Sequence, residues 1–291
     1  MGDAETLSVA VAQFTVGPDS EGNLTTIRDY TRQAADEGAR LLVLPEGLIA
    51  RNGGDGAFVA EHAQPLDGPF ATQLRRISRE TGVTLMGTVH ERLSTENASG
   101  TVAEPDEAAT GRKYGTDDSR VANTFLVVRN GDIIAAYRKL HLYDAFAEKE
   151  SDTVLPGNEL PPIVDIDGWK IGVMTCYDVR FPETARSLAV RGADVIVVSA
   201  AWVRGALKER HWALMTAARA VENTCYVLAC SEVSEQNIGL SRIIDPLGEV
   251  IVNAGLRSGM IAARPDRGVL CSARESLPVL ANRRFVDPIL R

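Results

Sequence analysis

Three hydrophobic segments end in a side chain able to do covalent chemistry. Glu46 follows Leu-Leu-Val-Leu-Pro, Lys139 closes Ile-Ile-Ala-Ala-Tyr-Arg, and Cys176 follows Lys-Ile-Gly-Val-Met-Thr. A thiol attacking an acyl carbon needs a base to take its proton, and the oxyanion that develops needs a positive charge or hydrogen-bond donors. Glu46, Lys139 and Cys176 supply one acid/base, one cation and one nucleophile, a complete set without any histidine. A lysine close to Cys176 also favours the thiolate, because an opposite charge stabilises the ionised form. Each residue has a plainer reading when taken alone. Buried cysteines are mostly inert apolar filler, a lysine at a strand exit is usually a solvated edge charge, and a glutamate after proline is usually a loop residue. The combination is what favours chemistry.

Such groups need a rigid frame, and the chain reads as one. Leu-Ser-Val-Ala-Val-Ala-Gln-Phe near residue 7 is strand-like, and Leu24, Ile27, Tyr30 and Ala34 recur at helical spacing before Gly38. Leu-Leu-Val-Leu is a second buried strand, 70–80 a helix, and the run from Val83 a strand. Asn130-Gly131 accepts positive φ at both turn positions and is flanked by Phe-Leu-Val-Val and Ile-Ile-Ala-Ala, which predicts a β-hairpin. The strand before Cys176 is followed by a helix opening at Pro182 and stopping at Gly192, then by the strand Ala-Asp-Val-Ile-Val-Val-Ser-Ala. Leu207, His211, Leu214, Ala218 and Val221 share one face of the next helix, and Cys225–Cys230, Ser241–Asp245 and Glu249–Gly255 supply the remaining strands. Parallel β-α units mixed with antiparallel hairpins define an α/β sandwich with mixed sheets, read as one domain over 1–291. The polar stretch 91–121 is too long for an ordinary connection and is expected to be a lid or contact loop.

Composition narrows the partners. Thirty-one Lys and Arg against 39 Asp and Glu leave a charge of -8, which gives nucleic acids and anionic membranes no electrostatic reason to bind. The longest apolar stretch, Val195 to Val203, is too short to span a bilayer, and the acidic N-terminus is unlike a secretory signal. Four cysteines without metal-ligand spacing predict neither a disulfide scaffold nor a metal site, and a reducing, cytoplasmic location is expected.

The segments Leu-Leu-Val-Leu-Pro-Glu-Gly, Tyr137–Gly157 and Gly-Val-Met-Thr-Cys-Tyr-Asp-Val-Arg-Phe-Pro-Glu resemble, in order, the three signature blocks of the nitrilase superfamily of carbon-nitrogen hydrolases. His211–Ala229 is similar to that family's next helix-strand unit, and Leu-Pro-Val-Leu-Ala-Asn-Arg-Arg to its tail, so the resemblance runs from about Leu7 to Arg284. It implies a four-layer αββα sandwich, no cofactor, and a small-molecule amide hydrolysed through a Cys thioester to an acid and ammonia. Carried over, Glu46 is the general base, Lys139 the oxyanion stabiliser, Cys176 the nucleophile and Glu150 an additional carboxylate, with Glu148 close enough to compete for that place. The amide N–H of Tyr177 becomes a second oxyanion donor. Tyr177 to Glu183 is similar to the Nit and ω-amidase branch, for which Arg180 is the candidate to hold a substrate carboxylate, unless it pairs with Asp178 or Glu183. Trp202, Arg204 and Arg210 are candidate pocket residues. The resemblance further implies a homodimer or higher homo-oligomer, with the helix after Cys176 and a tail from about 276 at the contact.

The alternatives are a carbamoyl or nitrile hydrolase with the same triad, and a silent binding or assembly subunit. A Cys-His hydrolase built on His141 or His211 is the weakest, since one lies in the lysine segment and the other on an apolar helix face.

Overall fold

The computed structural model describes residues 5–93, 120–146, 148–286 and 288–290. The segment 94–119, most of the polar stretch singled out above, lies outside the described residues.

Two mixed sheets stack face to face. In the first, β1 (Val9–Gln13), β2 (Leu41–Val43) and β3 (Thr84–Glu91) run parallel, as expected where helices connect them. The connectors are α1 (Ser20–Asp36), α2 (Gly56–His62) and α3 (Pro69–Thr81). The hairpin of β4 (Val121–Arg129) and β5 (Asp132–Arg138) continues the sheet antiparallel from β3, and Asn130 and Gly131 turn at φ 52° and 89°. A two-residue strand, β6 (Val154–Leu155), adds parallel to β4.

The second sheet repeats this logic. Its centre is parallel, with β8 (Trp169–Thr175), β9 (Val195–Ala200) and β10 (Tyr226–Ser231) joined by α4 (Pro182–Val190) and α5 (Lys208–Val221). β7 (Ile163–Ile166) flanks β8 antiparallel, and β11 (Arg242–Ile244) and β12 (Val250–Asn253) extend the other side. β13 (Gly259–Ala263) then crosses back to pair antiparallel with β1, ahead of α6 (Arg267–Ser276) and α7 (Val279–Asn282). β6, β7, β13, α2, α6 and α7 escape the sequence reading, since each is short, from two residues in β6 to ten in α6.

Three apolar layers hold the four structural layers together. Leu24, Ile27, Phe70, Leu74 and Ile77 press α1 and α3 onto the first sheet, and Val9, Val11, Leu41, Val43, Ile171, Val195 and Leu228 fill the space between sheets. Leu188, Ile196 and Trp212 close the second sheet under α4 and α5. Period-2 alternation sends Cys230 to the inter-sheet layer and Cys225 to the outer one.

One expectation is reversed in α5. The face carrying Leu207, His211, Leu214, Ala218 and Val221 is not the buried one: Leu207 and Leu214 are 60% and 63% exposed. Lys208, Trp212, Thr216, Arg219 and Ala220 are buried instead. The polar members satisfy their groups internally, Thr216 by donating to the Trp212 carbonyl and Arg219 by donating to the Val179 carbonyl and pairing with Glu222. Among the described residues no helix is long and apolar enough to cross a membrane.

Candidate active site

Glu46, Lys139 and Cys176 lie just beyond the ends of β2, β5 and β8, and the fold brings them together. The loop carrying Glu46 is laced to the second sheet, since Ser199 Oγ donates to the Leu44 carbonyl at 2.8 Å and the Glu46 amide to the Ala200 carbonyl at 3.3 Å. The Ala201 amide donates to Glu46 Oε2 at 2.8 Å, and Asn123 Nδ2 to Glu46 Oε1 at 2.7 Å. Lys139 Nζ reaches Glu46 Oε1 at 3.2 Å and both oxygens of Glu150 at 3.0 and 2.9 Å. Glu150 opens a 3-10 turn (Glu150–Asp152) and is fixed by the Tyr143 amide, 2.6 Å from Oε2. Of the two competing glutamates, Glu150 meets the lysine, while Glu148 only lines the surrounding cavity.

The charges are desolvated and mutually dependent. Burial pulls the Glu46 carboxyl upward, but the Lys139 and Arg51 charges outweigh it and hold Glu46 below the usual carboxylate range. Burial alone would lower Lys139, and Glu150 with Glu46 push it well above its ordinary value. Cys176 goes the other way. Burial first and then Glu46 raise its pKa, against the opposing pull of Lys139. Burial and Glu46 thus oppose the thiolate that the lysine alone would favour.

Cys176 sits at φ 43°, left-handed backbone that costs a non-glycine residue about 1–3 kcal/mol and persists only where the surroundings enforce it. The turn that holds it, the 3-10 turn Cys176–Arg180, is braced by the fully buried Asp178. Its Oδ2 accepts from the Thr175 amide at 3.0 Å and from Tyr137 Oη at 2.8 Å. Its Oδ1 accepts from the His141 amide at 3.2 Å and lies 2.7 Å from His141 Nδ1. Asp178 thus ties the cysteine turn to the segment on either side of Lys139, which also removes it as an ion-pair partner for Arg180. His141 is stacked on Phe181 at 3.7 Å and does not line the cavity; neither does His211.

The cysteine opens into a cavity of about 610 Å³. Tyr177, Arg180, Trp202 and Arg204 line it as expected, and Arg210 does not. The Arg180 guanidinium lies 4.8 Å from the Trp202 ring and 5.7 Å from that of Tyr177, forms no ion pair among the described residues, and leaves Nε and Nη2 buried without partners. Several residues of the site are invisible in sequence. Asn123 is a lone amide inside β4, and its position opposite Glu46 and Glu150 depends on the strand register. His90, Arg51, Tyr143 and Lys208 also face the cavity. Arg51 pairs with buried Glu232 at 3.0 Å, and burial with the Arg51 charge pushes His90 down to about 3.

A thiol, a carboxylate and an ammonium converging in a cavity are a set able to hydrolyse acyl compounds, and comparison with known proteins shows the family. Residues 8–275 match the carbon-nitrogen hydrolase family, to which the chain belongs. A deaminated glutathione amidase of Escherichia coli O157:H7 is 41% identical over 282 residues, covering 97% of this chain and 99% of that one. The structure is similar to that of Saccharomyces cerevisiae Nit3, described as a member of branch 10 of the nitrilase superfamily, with a TM-score of 0.80, 26% identity and coverage of 97% and 98%. It is also similar to the Caenorhabditis elegans NitFhit protein, with a TM-score of 0.82, 27% identity and coverage of 97% of this chain and 66% of that one. The protein is an amidase of the nitrilase superfamily, on its Nit-like branch, acting on C–N bonds other than peptide bonds.

Proposed function

We propose that the protein hydrolyses the amide of a small carboxylate-bearing molecule through a thioester on Cys176. The observation that carries this reading is the buried cluster itself, with Lys139 gripped by Glu46 and Glu150 and the Cys176 thiol facing Glu46. Glu46 takes the thiol proton as sulfur attacks the amide carbon, so the costly buried thiolate never accumulates. The oxyanion forms beside the Lys139 ammonium and the Tyr177 N–H. The amine or ammonia departs with the proton from Glu46, which then deprotonates a water that cleaves the thioester to the acid. Glu150 keeps Lys139 charged and in place without taking a proton from substrate.

Arg180 is the residue proposed to hold the substrate carboxylate. Its unpartnered guanidinium nitrogens and aromatic backing support this, since a planar fork fixed on rings is pre-set for bidentate contact. The 41% identical relative, a deaminated glutathione amidase, supports a substrate of this acidic kind. The test compares release of ammonia from glutaramate and from neutral valeramide. Losing a charge-assisted contact costs about 1.5–3 kcal/mol, so Arg180→Met is expected to lose about 10- to 150-fold more kcat/KM on glutaramate than on valeramide. Equal losses on the two substrates contradict the assignment.

A further inference from the structure

Asn123 is a buried amide that the chemistry above does not use. It stands inside β4, 1% exposed, opposite His90 of β3. Main chain and side chain both serve the reacting groups. The Asn123 carbonyl accepts the Lys139 amide at 2.9 Å, and Nδ2 donates to Glu46 Oε1 at 2.7 Å with a longer contact of 3.4 Å to Glu150 Oε1. Between two carboxylates the amide can present only its NH2 side, since the flipped form would set oxygen against oxygen. Oδ1 is left buried without a partner among the described residues. An unpaired buried oxygen costs stability that an apolar side chain of similar size would not, so what remains in favour of the amide is the work of Nδ2.

The donors around Glu46 are unevenly divided. A carboxylate oxygen offers two lone pairs. Oε1 receives Lys139 Nζ at 3.2 Å and Asn123 Nδ2 at 2.7 Å, whereas the N–H donor to Oε2 among the described residues is that of Ala201 alone, at 2.8 Å. We propose that Asn123 is a positioning residue: with Lys139 it fills Oε1 of Glu46 and thereby makes Oε2 the oxygen that exchanges protons. This rests on the reading of Glu46 as the base. The proton passes from Sγ to Oε2 as the sulfur–carbon bond forms, and from Oε2 to nitrogen as the carbon–nitrogen bond breaks. Water then gives a proton to Oε2 as its oxygen attacks the thioester, and that proton returns to sulfur as the acid leaves. Losing one donor would make Glu46 a stronger base, but its acid form would then protonate the leaving nitrogen less readily, so turnover falls.

Two variants separate the donor from the space it fills. Asn123→Leu keeps the size and removes the donor, while Asn123→Asp keeps the shape and donates only when protonated. With glutaramate, Asn123→Leu is expected to lose about 10- to 150-fold in kcat at every pH with KM nearly unchanged, the worth of one hydrogen bond to a charged group. Asn123→Asp is expected to be as poor in mildly alkaline solution and to recover most of its kcat on acidification. Glu46 and Glu150 face the introduced carboxyl with only Lys139 to offset them and His90 neutral across the strand, which holds it protonated above the usual carboxylate range. Binding of glutaramate to Cys176→Ala is expected to be the same with and without Asn123→Leu. Wild-type kcat in the leucine variant, no recovery of the aspartate variant on acidification, or weakened binding overturns the proposal. Full turnover in Glu46→Gln overturns the base reading together with it, whereas an inactive Glu46→Gln beside a fully active Asn123→Leu overturns the role of Asn123 alone. If the wild type leaves glutaramate intact, the substrate reading fails, and the infrared carboxylic-acid band of Asn123→Asp still decides: present at neutral pH it supports the donor role, absent it overturns it. Asn123→Ala replaces the leucine variant should that one not fold.

Discussion

The proposed chemistry asks for residues whose reactive forms arise only with substrate in place. Burial and then Glu46 push the Cys176 thiol up against the pull of Lys139, and Glu150 with Glu46 push Lys139 up against its burial. Removing that charge leaves Glu46 and Glu150 facing each other and the oxyanion without its cation. Lys139→Met is expected to lose about a hundredfold or more in kcat, the scale of one preorganised oxyanion donor; a rise confined to KM would make it a binding residue instead. His90 gives a second prediction, in stability. Free imidazole titrates near 6.5, whereas burial and Arg51 hold His90 at about 3. The unfolded chain binds the extra proton across that interval, so stability falls as pH is lowered from about 6.5 toward about 3. Glu46, also depressed, contributes a loss in the same direction, but only below its ordinary value of 4.5. In chemical denaturation, His90→Gln should flatten the decline between pH 6.5 and pH 4.5; an unaltered slope there would show that His90 is not its source.

Among the elements, the strand ends do the positioning and Asp178 sets the spacing between two of them. Its carboxylate gathers the Thr175 amide at the end of β8 and Tyr137 and His141 around Lys139. Asp178→Asn removes the charge from that junction, and an expected loss of about 1.5–3 kcal/mol in stability follows from weakening hydrogen bonds to a buried charge. A fall in kcat with KM nearly constant should accompany it, measured on glutaramate; a stable variant with unchanged kcat would place the spacing elsewhere. Glu46, Lys139 and Cys176 were legible in sequence because each ends an apolar run, which fixes its location whatever the sheet order. Asn123 was not, because a polar residue inside β4 gains meaning only when register places it against Glu46. Lys208 stood in the run Lys-Glu-Arg-His, which reads as a solvated helix start, and the apolar spacing of α5 pointed to the wrong face. Periodicity identifies the helix, but internal pairing of Arg219 and Thr216 decides which side is buried.

For the whole molecule, the two sheets repeat one plan and meet where Glu46 bonds to the end of β9, so the site depends on both halves of the sandwich. The tail remains uncovered in the single chain: α7 buries no residue, and Phe285 and Ile289 are 91% and 89% exposed. Apolar side chains so placed favour contact with a second copy. Removing the residues after Ser276 is expected to give monomeric or unstable protein by light scattering, and a stable, active dimer would refute the tail's role. The central claim is the covalent step at Cys176. Acid-quenched turnover of glutaramate, followed by intact-mass and peptide analysis, should reveal a glutaryl group on the Cys176 peptide of the wild type. Cys176→Ala should show neither the adduct nor product; an acyl group on another residue, or a tenth of wild-type turnover in that variant, would contradict the account.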